Sequence, residues 1–242
     1  MSHPPLNIFK TPRVKVSTTR PRLPIVSNKD RPIIQTRRVL IRAPQVSDIA
    51  AIHEMRSQPE VMLYTSRGSP DTSVAESQVF LDRYLSPNDA HTFYFSVLYL
   101  GEEGEIPESE APIIGACGVH GLNEPGFWFG WPEIGYTLRK EYWNKGLATE
   151  VVGAYLQAYW ALSRESVEVE VHPATVGEAE DGQVPEQVTA LVGALNPASL
   201  RVLQKLGFQT FKEWDEFDNR PASQRAGQLT ELVGLMASRP RS

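Results

Sequence analysis

The sequence predicts one α+β (α/β) domain in which helices pack on a mixed β-sheet. Apolar residues recur with strand and helix periods in the order β-α-α-β-β-β-α-β-α-β-β. The chain has 242 residues, of which 41% are hydrophobic and 22% charged, as in a soluble globular domain with a full core. Its apolar runs fall short of the ~20 residues that cross a bilayer, so no membrane span is expected.

The first half of the chain alternates between both periods. Strands are predicted at 38–42, 92–100, 113–119 and 131–138, and helices at 47–57 and 73–85. Ser47 or Asp48 is placed to cap the first helix. The acidic, turn-forming stretch 101–112 reads as a hairpin loop. Gly115 and Gly118 indicate a close backbone approach or a bulge within their strand.

The second half continues the alternation. Helices are predicted at 150–162 and 196–207, and strands at 166–172, 188–195, 208–217 and 229–236. The segment 188–195 is apolar and nearly unbroken, as buried parallel strands are. Between them, residues 173–186 carry several acids and turn formers. We expect this stretch to be a solvent-exposed insertion.

The N-terminal segment differs from the rest of the chain. It has no acidic residue before Asp30, but it holds six lysines or arginines and five prolines. We therefore expect a disordered basic tail at 1–35, a folded domain at 36–237 and a short tail at 238–242. An Arg-rich, acid-free segment also fits an organellar transit peptide, although prolines would break its amphipathic helix.

The single cysteine and the net charge narrow the possible partners. Cys117 is the only cysteine, so neither an intrachain disulfide nor a thiolate metal cluster can form, and no metal is expected. A lone thiol fits a reducing compartment, so we expect the cytoplasm and leave organellar targeting open. A net charge of −5 weighs against nucleic acid and suits a cationic substrate. Neither a nucleic-acid nor a membrane partner is expected.

The first chemical motif is a glycine-bearing turn between a strand and a helix. It reads Trp143-Asn-Lys-Gly-Leu-Ala-Thr-Glu150. Such a turn offers backbone N–H groups and the positive end of a helix dipole to a phosphate, and small residues at Gly146 and Ala148 allow close approach. The spacing fits neither a Walker loop nor a dinucleotide fingerprint. Taken on its own, this segment is better explained as an ordinary strand–helix turn.

The second motif is Asn196-Pro-Ala-Ser-Leu-Arg-Val-Leu-Gln-Lys-Leu-Gly-Phe208. Asn196 lies between a predicted buried strand and a helix, where its amide can contact a ligand or cap the helix. Ser199 lies in the first turn of that helix, where capping is again the simpler interpretation. Gly207 is placed to end the helix.

Together these motifs resemble the GCN5-related N-acetyltransferase (GNAT) family, and within it the branch of bacterial ribosomal-protein N-terminal acetyltransferases. The stretch from Tyr142 to Glu150 is similar to the pyrophosphate loop of that branch, and the stretch from Asn196 to Phe208 to its N-x-x-S…K-x-G-F segment. Three further segments match in order, namely Thr36-Arg-Arg-Val-Leu-Ile-Arg42, Pro59-Glu-Val-Met62 and Glu133-Ile-Gly-Tyr136. The resemblance covers residues 36–217.

The resemblance implies an N-acetyltransferase with acetyl-CoA as cosubstrate. The family fold is a mostly antiparallel sheet flanked by helices, with a splayed parallel strand pair, here 131–138 and 188–195. The residues that it places against acetyl-CoA are Tyr136, Thr137, Leu138, Lys145, Gly146, Leu147, Ala148, Thr149, Asn196 and Ser199. The acceptor would be an amine of a protein N-terminus or of a small molecule, and a homodimer is left open.

Two catalytic residues are expected. Relatives place a base at the position of Glu133, and strand alternation puts Glu133 on the face opposite Ile134, which suits the core. A salt-bridged surface carboxylate, or a base acting through water, would look the same in sequence. Ser199 is the best-placed hydroxyl to protonate the departing thiolate, although it can equally serve the helix end.

Two departures from the family pattern matter. Trp143 replaces the Gln or Arg that often begins the phosphate loop, which alters a flank and not the amides. Leu203 replaces a tyrosine that many members use as an acid, so that residue cannot protonate the thiolate here. The second departure favours an alternative function, a non-catalytic acyl-CoA-binding module. A generic phosphate-binding α/β protein is a third possibility, which the Asn196 motif opposes.

Other residues are weaker candidates. His120 follows a strand near the expected acceptor cleft, although a lone histidine is more often packed or solvent-facing. Phe127, Trp128 and Trp131 could line an acceptor pocket, but aromatics beside a sheet more often belong to the core. Cys117 reads as a buried strand residue without a basic neighbour to activate it.

Overall fold

The computed structural model describes residues 11–122, 129–179, 182–220, 223 and 225–240. The chain forms two compact units. The first unit comprises Leu23–Val119 and Gly135–Ala161, and the second comprises Met1–Arg22, His120–Ile134 and Leu162–Ser242. In the described ranges, no helix has both the length and the apolarity needed to span a bilayer.

The described residues contain all the strands and helices predicted from the sequence, with ends shifted by a few positions. The strands are β1 (Val14–Pro21), β2 (Ile34–Gln35), β3 (Val39–Arg42), β4 (Phe93–Tyr99), β5 (Ile113–His120), β6 (Glu133–Leu138), β7 (Arg164–Val171), β8 (Gln187–Gly193), β9 (Gln209–Phe217) and β10 (Leu229–Ser238). The α-helices are α1 (Ile49–Arg56), α2 (Pro59–Met62), α3 (Val74–Asp82), α4 (Leu147–Ala161) and α5 (Pro197–Lys205). Strands β1 and β2 and the single-turn α2 were not predicted.

The sheet of the first unit has the order β2-β3-β4-β5-β6. Strands β2 to β5 pair antiparallel, and the β4–β5 register shifts between Val97 and Leu98. A Cβ on Gly115 would lie 2.3 Å from the carbonyl oxygen of Thr137, so only glycine fits there. The glycines of β5 predicted a close approach or a bulge, and β5 shows the first at Gly115 and a register shift with β4.

Helix α4 is anchored to the sheet of the first unit by a buried tyrosine. The Tyr155 hydroxyl accepts a hydrogen bond from the Val119 amide at 2.9 Å and donates one to the Phe93 carbonyl at 2.8 Å. Leu147, at the first position of the helix, is fully buried. Because Leu147 and Tyr155 are both packed in the core, the turn that precedes α4 is held in a defined place.

The second unit contains the parallel strand pair expected from the sequence. Its strand order is β6-β8-β10-β9, and β6 runs parallel to β8 with Glu133 opposite Thr189. Strands β8, β10 and β9 pair antiparallel. The core of this unit is an aromatic and aliphatic cluster formed by Phe129, Trp131, Val171, Val184 and Trp214.

The expectation of a disordered tail at 1–35 is wrong for the part that the structure describes. Strand β1 pairs antiparallel with β7 over eight residues, from Val14 opposite Val171 to Pro21 opposite Arg164. Thr18 of β1 is 1% exposed, and its hydroxyl donates to the Val184 carbonyl at 2.8 Å. Prolines exclude a helix here, but they lie at the ends of the strand and leave its ladder intact. Residues 1–10 lie outside the described ranges.

A second buried group belongs to the same stretch and lies in the first unit. The Arg31 guanidinium donates to the carbonyls of Tyr94, Asp89 and Thr92 at 2.8–3.1 Å. It also lies 5.3 Å from the centre of the Phe95 ring. Burial lowers the pKa of Arg31 to about 10. These contacts fix residues that composition alone assigns to a tail.

The expected insertion at 173–186 is only partly solvent-exposed. Thr175, Val184 and Glu186 are buried at its two ends. The Glu186 carboxylate accepts from the Arg164 guanidinium at 2.8 Å and from the Thr19 hydroxyl at 2.9 Å. The acidic composition of this stretch predicted full exposure, but the Glu186 carboxylate is buried and paired with Arg164 inside the unit. Residues 180 and 181 lie outside the described ranges.

Candidate functional site

The turn between β6 and α4 has the geometry of an anion site. Asn144 and Gly146 have positive φ angles of 60° and 75°, and α4 begins at the next residue. The N–H groups of a first helical turn have no acceptor within their own helix, and the helix dipole is positive there. Lys145 and Gly146 are exposed, so this end of the helix is open to a ligand.

The residues of this turn fit a pyrophosphate. A Cβ added to Gly146 would meet only the Arg38 guanidinium, at 3.6 Å. Glycine is therefore required there by its φ of 75° and not by crowding from other residues. The space in front of the turn is open, and two cations, Lys145 and Arg38, flank it. Residues Leu147, Ala148 and Thr149 supply the first-turn amides.

A network behind the turn joins α4 to the chain before β3. The Glu150 carboxylate accepts from the Thr36 hydroxyl at 2.6 Å, the Arg38 amide at 3.2 Å and the Arg38 Nε at 2.8 Å. Arg38 also donates to the Lys145 carbonyl at 3.0 Å and pairs with Glu102 at 3.2 Å. Although burial raises the pKa of Glu150, these hydrogen bonds outweigh it and hold that pKa below its ordinary value.

The flank of the turn carries a second charged group. Lys145 Nζ lies 5.3 Å from the centre of the Tyr142 ring, and Tyr142 packs edge-on against Tyr99. The Tyr99 hydroxyl donates to Glu102 at 2.7 Å, and this carboxylate raises the pKa of Tyr99 to about 12. Lys145 is thereby held beside the turn by an aromatic face.

Trp143 explains why the family pattern can change at this position. Its indole Nε1 donates to the Leu138 carbonyl at 2.8 Å, and its ring packs against the cluster that includes Ile52 and Met55. The half-buried side chain packs against this core cluster, so it fixes the start of the turn without using the turn amides. Tyr136, Thr137 and Leu138 precede this turn on β6. Leu138 is buried, and the other two are half-buried.

The second motif forms a capped helix. The Asn196 Oδ1 accepts from the Ser199 amide at 3.1 Å, which makes Asn196 the N-cap of α5. The capping interpretation is therefore right for Asn196. Ser199 is half-buried in the first turn of the helix. Leu203, where many relatives have tyrosine, is fully buried and packs in the core.

Glu133 begins β6 and combines burial with a missing partner. The residue as a whole is half-buried, but its Oε2 is buried and has no hydrogen-bond partner among the described residues. Burial raises the pKa of Glu133 to about 8. The next residue, Ile134, is 4% exposed, as strand alternation predicted. Among the described residues, Glu133 Oε2 thus receives no hydrogen bond from a lysine or arginine, as a salt bridge through this atom would require.

The predicted residues fall on both units. Tyr136 to Leu138 and the turn residues Lys145 to Thr149 belong to the first unit, whereas Glu133, Asn196 and Ser199 belong to the second. Sequence reasoning missed Arg38 and Glu150 as parts of the turn. Both residues lie in segments that resemble the family, but they are 112 positions apart, so no local sequence pattern predicts that they pair.

The weaker candidates have other roles where the structure describes them. Trp131 is 2% exposed, and its Nε1 donates to the Thr175 hydroxyl at 2.8 Å, so it belongs to the core. Cys117 is buried, which raises the pKa of its thiol and keeps it unreactive. Phe127 and Trp128 lie outside the described residues. His120 is half-buried at the end of β5.

Two sequence comparisons agree with this geometry. The sequence pattern of the acetyltransferase (GNAT) domain matches residues 38–209. An uncharacterized N-acetyltransferase, p20, of Bacillus licheniformis is 25% identical over 142 residues, which are 58% of this chain and 73% of that protein.

Two solved structures share the fold. Spermidine N-acetyltransferase from Vibrio cholerae, in complex with CoA and spermine, superposes with a TM-score of 0.57 at 15% identity, over 83% of this chain and 95% of that one. Ribosomal-protein-S5-alanine acetyltransferase from Vibrio fischeri superposes with a TM-score of 0.54 at 17% identity, over 86% and 97%. With a family pattern that spans 38–209, the chain belongs to the GNAT acetyltransferases, enzymes that acetylate amines with acetyl-CoA.

Proposed function

We propose that this enzyme acetylates a primary amine, on a protein N-terminus or a small molecule, by direct attack of the amine on acetyl-CoA within a ternary complex. The observation that carries the proposal is the buried Oε2 of Glu133, which has no hydrogen-bond partner in the part of the chain that the structure describes, together with a pKa that burial raises to about 8. A carboxylate of that basicity at the start of a strand in the parallel pair is suited to general-base catalysis.

The amine must lose a proton before it can attack. A lysine-like ammonium has a pKa of ~10.4 and is almost wholly protonated at neutral pH. Glu133 takes this proton, directly or through one water molecule, and the nitrogen lone pair then forms the bond to the acetyl carbon. When the C–S bond breaks, the electron pair leaves with sulfur. An ordinary carboxylate would be a weaker base, so the environment of Glu133 matters for the rate.

The turn before α4 would hold the cosubstrate, which supplies the activated acetyl thioester. Lys145, Gly146, Leu147, Ala148 and Thr149 would meet the pyrophosphate through backbone N–H groups and the Lys145 charge. The family resemblance further implies contacts of acetyl-CoA with Tyr136, Thr137 and Leu138 of β6 and with Asn196, and we propose these residues as contacts. The open space at Gly146 and its flanking cations support this assignment.

The departing thiolate needs a proton, and the family tyrosine is missing. Leu203 is fully buried and apolar, so it contributes nothing to this step. Ser199 is the proposed donor, with solvent as the alternative. The backbone N–H of Ser199 donates to the Asn196 Oδ1, and the Ser199 hydroxyl takes no part in that hydrogen bond.

The acceptor class is the finer part of the proposal. One structural neighbour is a spermidine N-acetyltransferase and another acetylates the alanine of ribosomal protein S5. The resemblance in the turn and the Asn196 motif favours the ribosomal-protein branch, whereas a net charge of −5 suits either cationic acceptor.

The test is a release assay for free CoA thiol with matched acceptors. The purified chain is incubated with acetyl-CoA and, separately, spermidine or a short peptide with an N-terminal alanine, each beside its pre-acetylated form. We expect thiol release with at least one free amine, a mass gain of one acetyl group on that amine, and none with the acetylated forms. Release that is equal with and without every free amine would overturn the proposal.

A further inference from the structure

We infer that Arg38 is a positioning residue for acetyl-CoA, because it holds the turn before α4 in the shape that presents its amides to the pyrophosphate. This inference rests on the proposed function and adds a residue outside the turn itself. Arg38 lies just before β3 and more than 100 positions from Gly146 in the sequence. The fold brings its side chain into direct contact with the turn.

The Arg38 side chain binds both the turn and the first turn of α4. One amino group donates to the Lys145 carbonyl at 3.0 Å, next to Gly146. The other amino group and Nε meet the same Glu150 carboxylate oxygen at 2.7 Å and 2.8 Å, within the first turn of α4. The side chain is only 16% exposed, so water screens these contacts weakly. A planar guanidinium can reach both partners at once, whereas an ammonium group cannot.

The backbone conformation of the turn explains why such contacts are needed. Asn144 and Gly146 both adopt positive φ angles. Asparagine disfavours this region and glycine enters it no more readily than other regions, so the isolated turn has no strong preference for this shape. The Lys145 peptide lies between them, and its carbonyl is the group that Arg38 binds. In a trans peptide the N–H points opposite to the carbonyl, so holding the Lys145 carbonyl on Arg38 turns the Gly146 N–H away from Arg38.

Charge provides a second reason. Glu150 lies in the first turn of α4, where an unpaired carboxylate would repel a pyrophosphate. The Arg38 guanidinium neutralises this carboxylate, and the Thr36 hydroxyl donates a further hydrogen bond to it. Removing Arg38 would therefore loosen the turn and leave a negative charge beside the ligand.

The neighbouring arginine offers a matched control. Arg37 is 62% exposed and pairs with Glu103 at 3.4 Å across the surface. Such exposed pairs contribute little to stability. Arg38→Met and Arg37→Met change the same chemistry at adjacent positions, but only the first alters the turn.

The experiment compares two acetyl donors, acetyl-CoA and S-acetyl-pantetheine, which lacks the pyrophosphate. The measured quantity is the ratio of kcat/KM for the two donors with one amine. Charge-assisted hydrogen bonds of ~1.5–3 kcal/mol predict that Arg38→Met lowers this ratio about 10- to 100-fold. The fall should come from a higher KM for acetyl-CoA, with kcat and the kcat/KM for S-acetyl-pantetheine unchanged. Arg37→Met should keep the wild-type ratio.

The outcomes separate this inference from the proposed function. If the wild-type enzyme uses both donors equally well, the phosphate assignment of the turn fails. If the wild type prefers acetyl-CoA and Arg38→Met keeps that preference, or loses both donors equally, the role of Arg38 is overturned and the proposed function stands. Should Arg38→Met not fold, Arg38→Lys keeps the charge without the fork, and an unchanged ratio in that variant also overturns the inference.

Discussion

The indole Nε1 of Trp131 donates a hydrogen bond to Oγ1 of Thr175 at 2.8 Å, and both residues are buried. The Thr175 hydroxyl in turn donates its proton to the His172 carbonyl at 2.7 Å. Because Trp131 precedes Glu133 by two positions, this bond ties the start of β6 to the segment that follows β7. An aromatic side chain that could have lined a pocket is instead held in the core of the second unit.

Thr175→Val should destabilise the protein, because the buried indole N–H loses its acceptor while the volume stays nearly the same. We expect a loss of about 1–3 kcal/mol in the free energy of unfolding, measured by urea denaturation. Thr175→Ser keeps the hydroxyl and is the control. Equal stability of the valine variant and the wild type would show that the bond contributes nothing.

Deleting residues 1–22 should lower the melting temperature by many degrees or prevent folding. The deletion removes all eight residue pairs between β1 and β7 and exposes the edge of β7. Two point variants divide the effect. Thr18→Val leaves the Val184 carbonyl without its donor and should cost about 1–3 kcal/mol, whereas Lys15→Met, at a pair exposed by more than 60% on each side, should cost under about 1 kcal/mol. A truncated chain with an unchanged melting temperature would contradict the role of β1.

The periodicities of the sequence were enough to predict the order of the strands and helices from β3 to β10, apart from the single-turn α2. They failed at β1, where short alternation between prolines looks like a tail until its partner is known. That partner, β7, lies more than 140 residues further on, and no local pattern identifies the pairing. The same holds for Glu186, whose charge predicts exposure but whose partner Arg164 makes burial possible.

At the candidate site, the sequence predicted the turn, the Asn196 cap and Glu133 because each lies in a short motif. The support for these residues is long-range and was not visible. Arg38 and Glu150 each belong to a recognised segment, but only the fold brings them within 2.7 Å. The raised pKa of Glu133 depends on burial and on the absence of a cation near it among the described residues, which sequence alone does not report.

Glu133→Gln should stabilise the protein, and the gain should depend on pH. The folded-state pKa of Glu133 is about 8 against an ordinary value of 4.5. Between these values the folded state binds a proton that the unfolded state has lost, so the stability of the wild type falls as pH rises through this window. The glutamine variant lacks this term. The stability difference, from urea denaturation, should grow from pH 5 to pH 8 and then level off.

The matched control for that experiment is Glu103→Gln, at a side chain 76% exposed, which should show no such growth. A difference between Glu133→Gln and the wild type that stays constant from pH 5 to pH 9 would mean that Glu133 is not buried as described.

Gly146→Asp should weaken acetyl-CoA binding more than Gly146→Asn does. Both substitutions carry the same backbone strain at a φ of 75°, and both side chains have room, so the two variants differ mainly in charge. A carboxylate close to the pyrophosphate should reduce the affinity by at least about tenfold relative to asparagine. Isothermal calorimetry measures this. Equal affinities would remove the pyrophosphate from the turn.

The most direct test of the account is the pH dependence of kcat/KM for the amine, in the wild type and in Glu133→Gln. With Glu133 as base, the wild-type value rises through about pH 8, where the carboxylate is half ionised, and levels off about one pH unit higher, where it is almost fully ionised. The variant should be slower by ~10²–10⁴-fold below about pH 8. The kcat/KM of the variant should keep rising above about pH 8, since only free amine reacts without the base. The difference between the variant and the wild type should therefore shrink at high pH. Superimposable profiles from pH 6 to pH 9 would contradict the account and remove Glu133 from proton transfer.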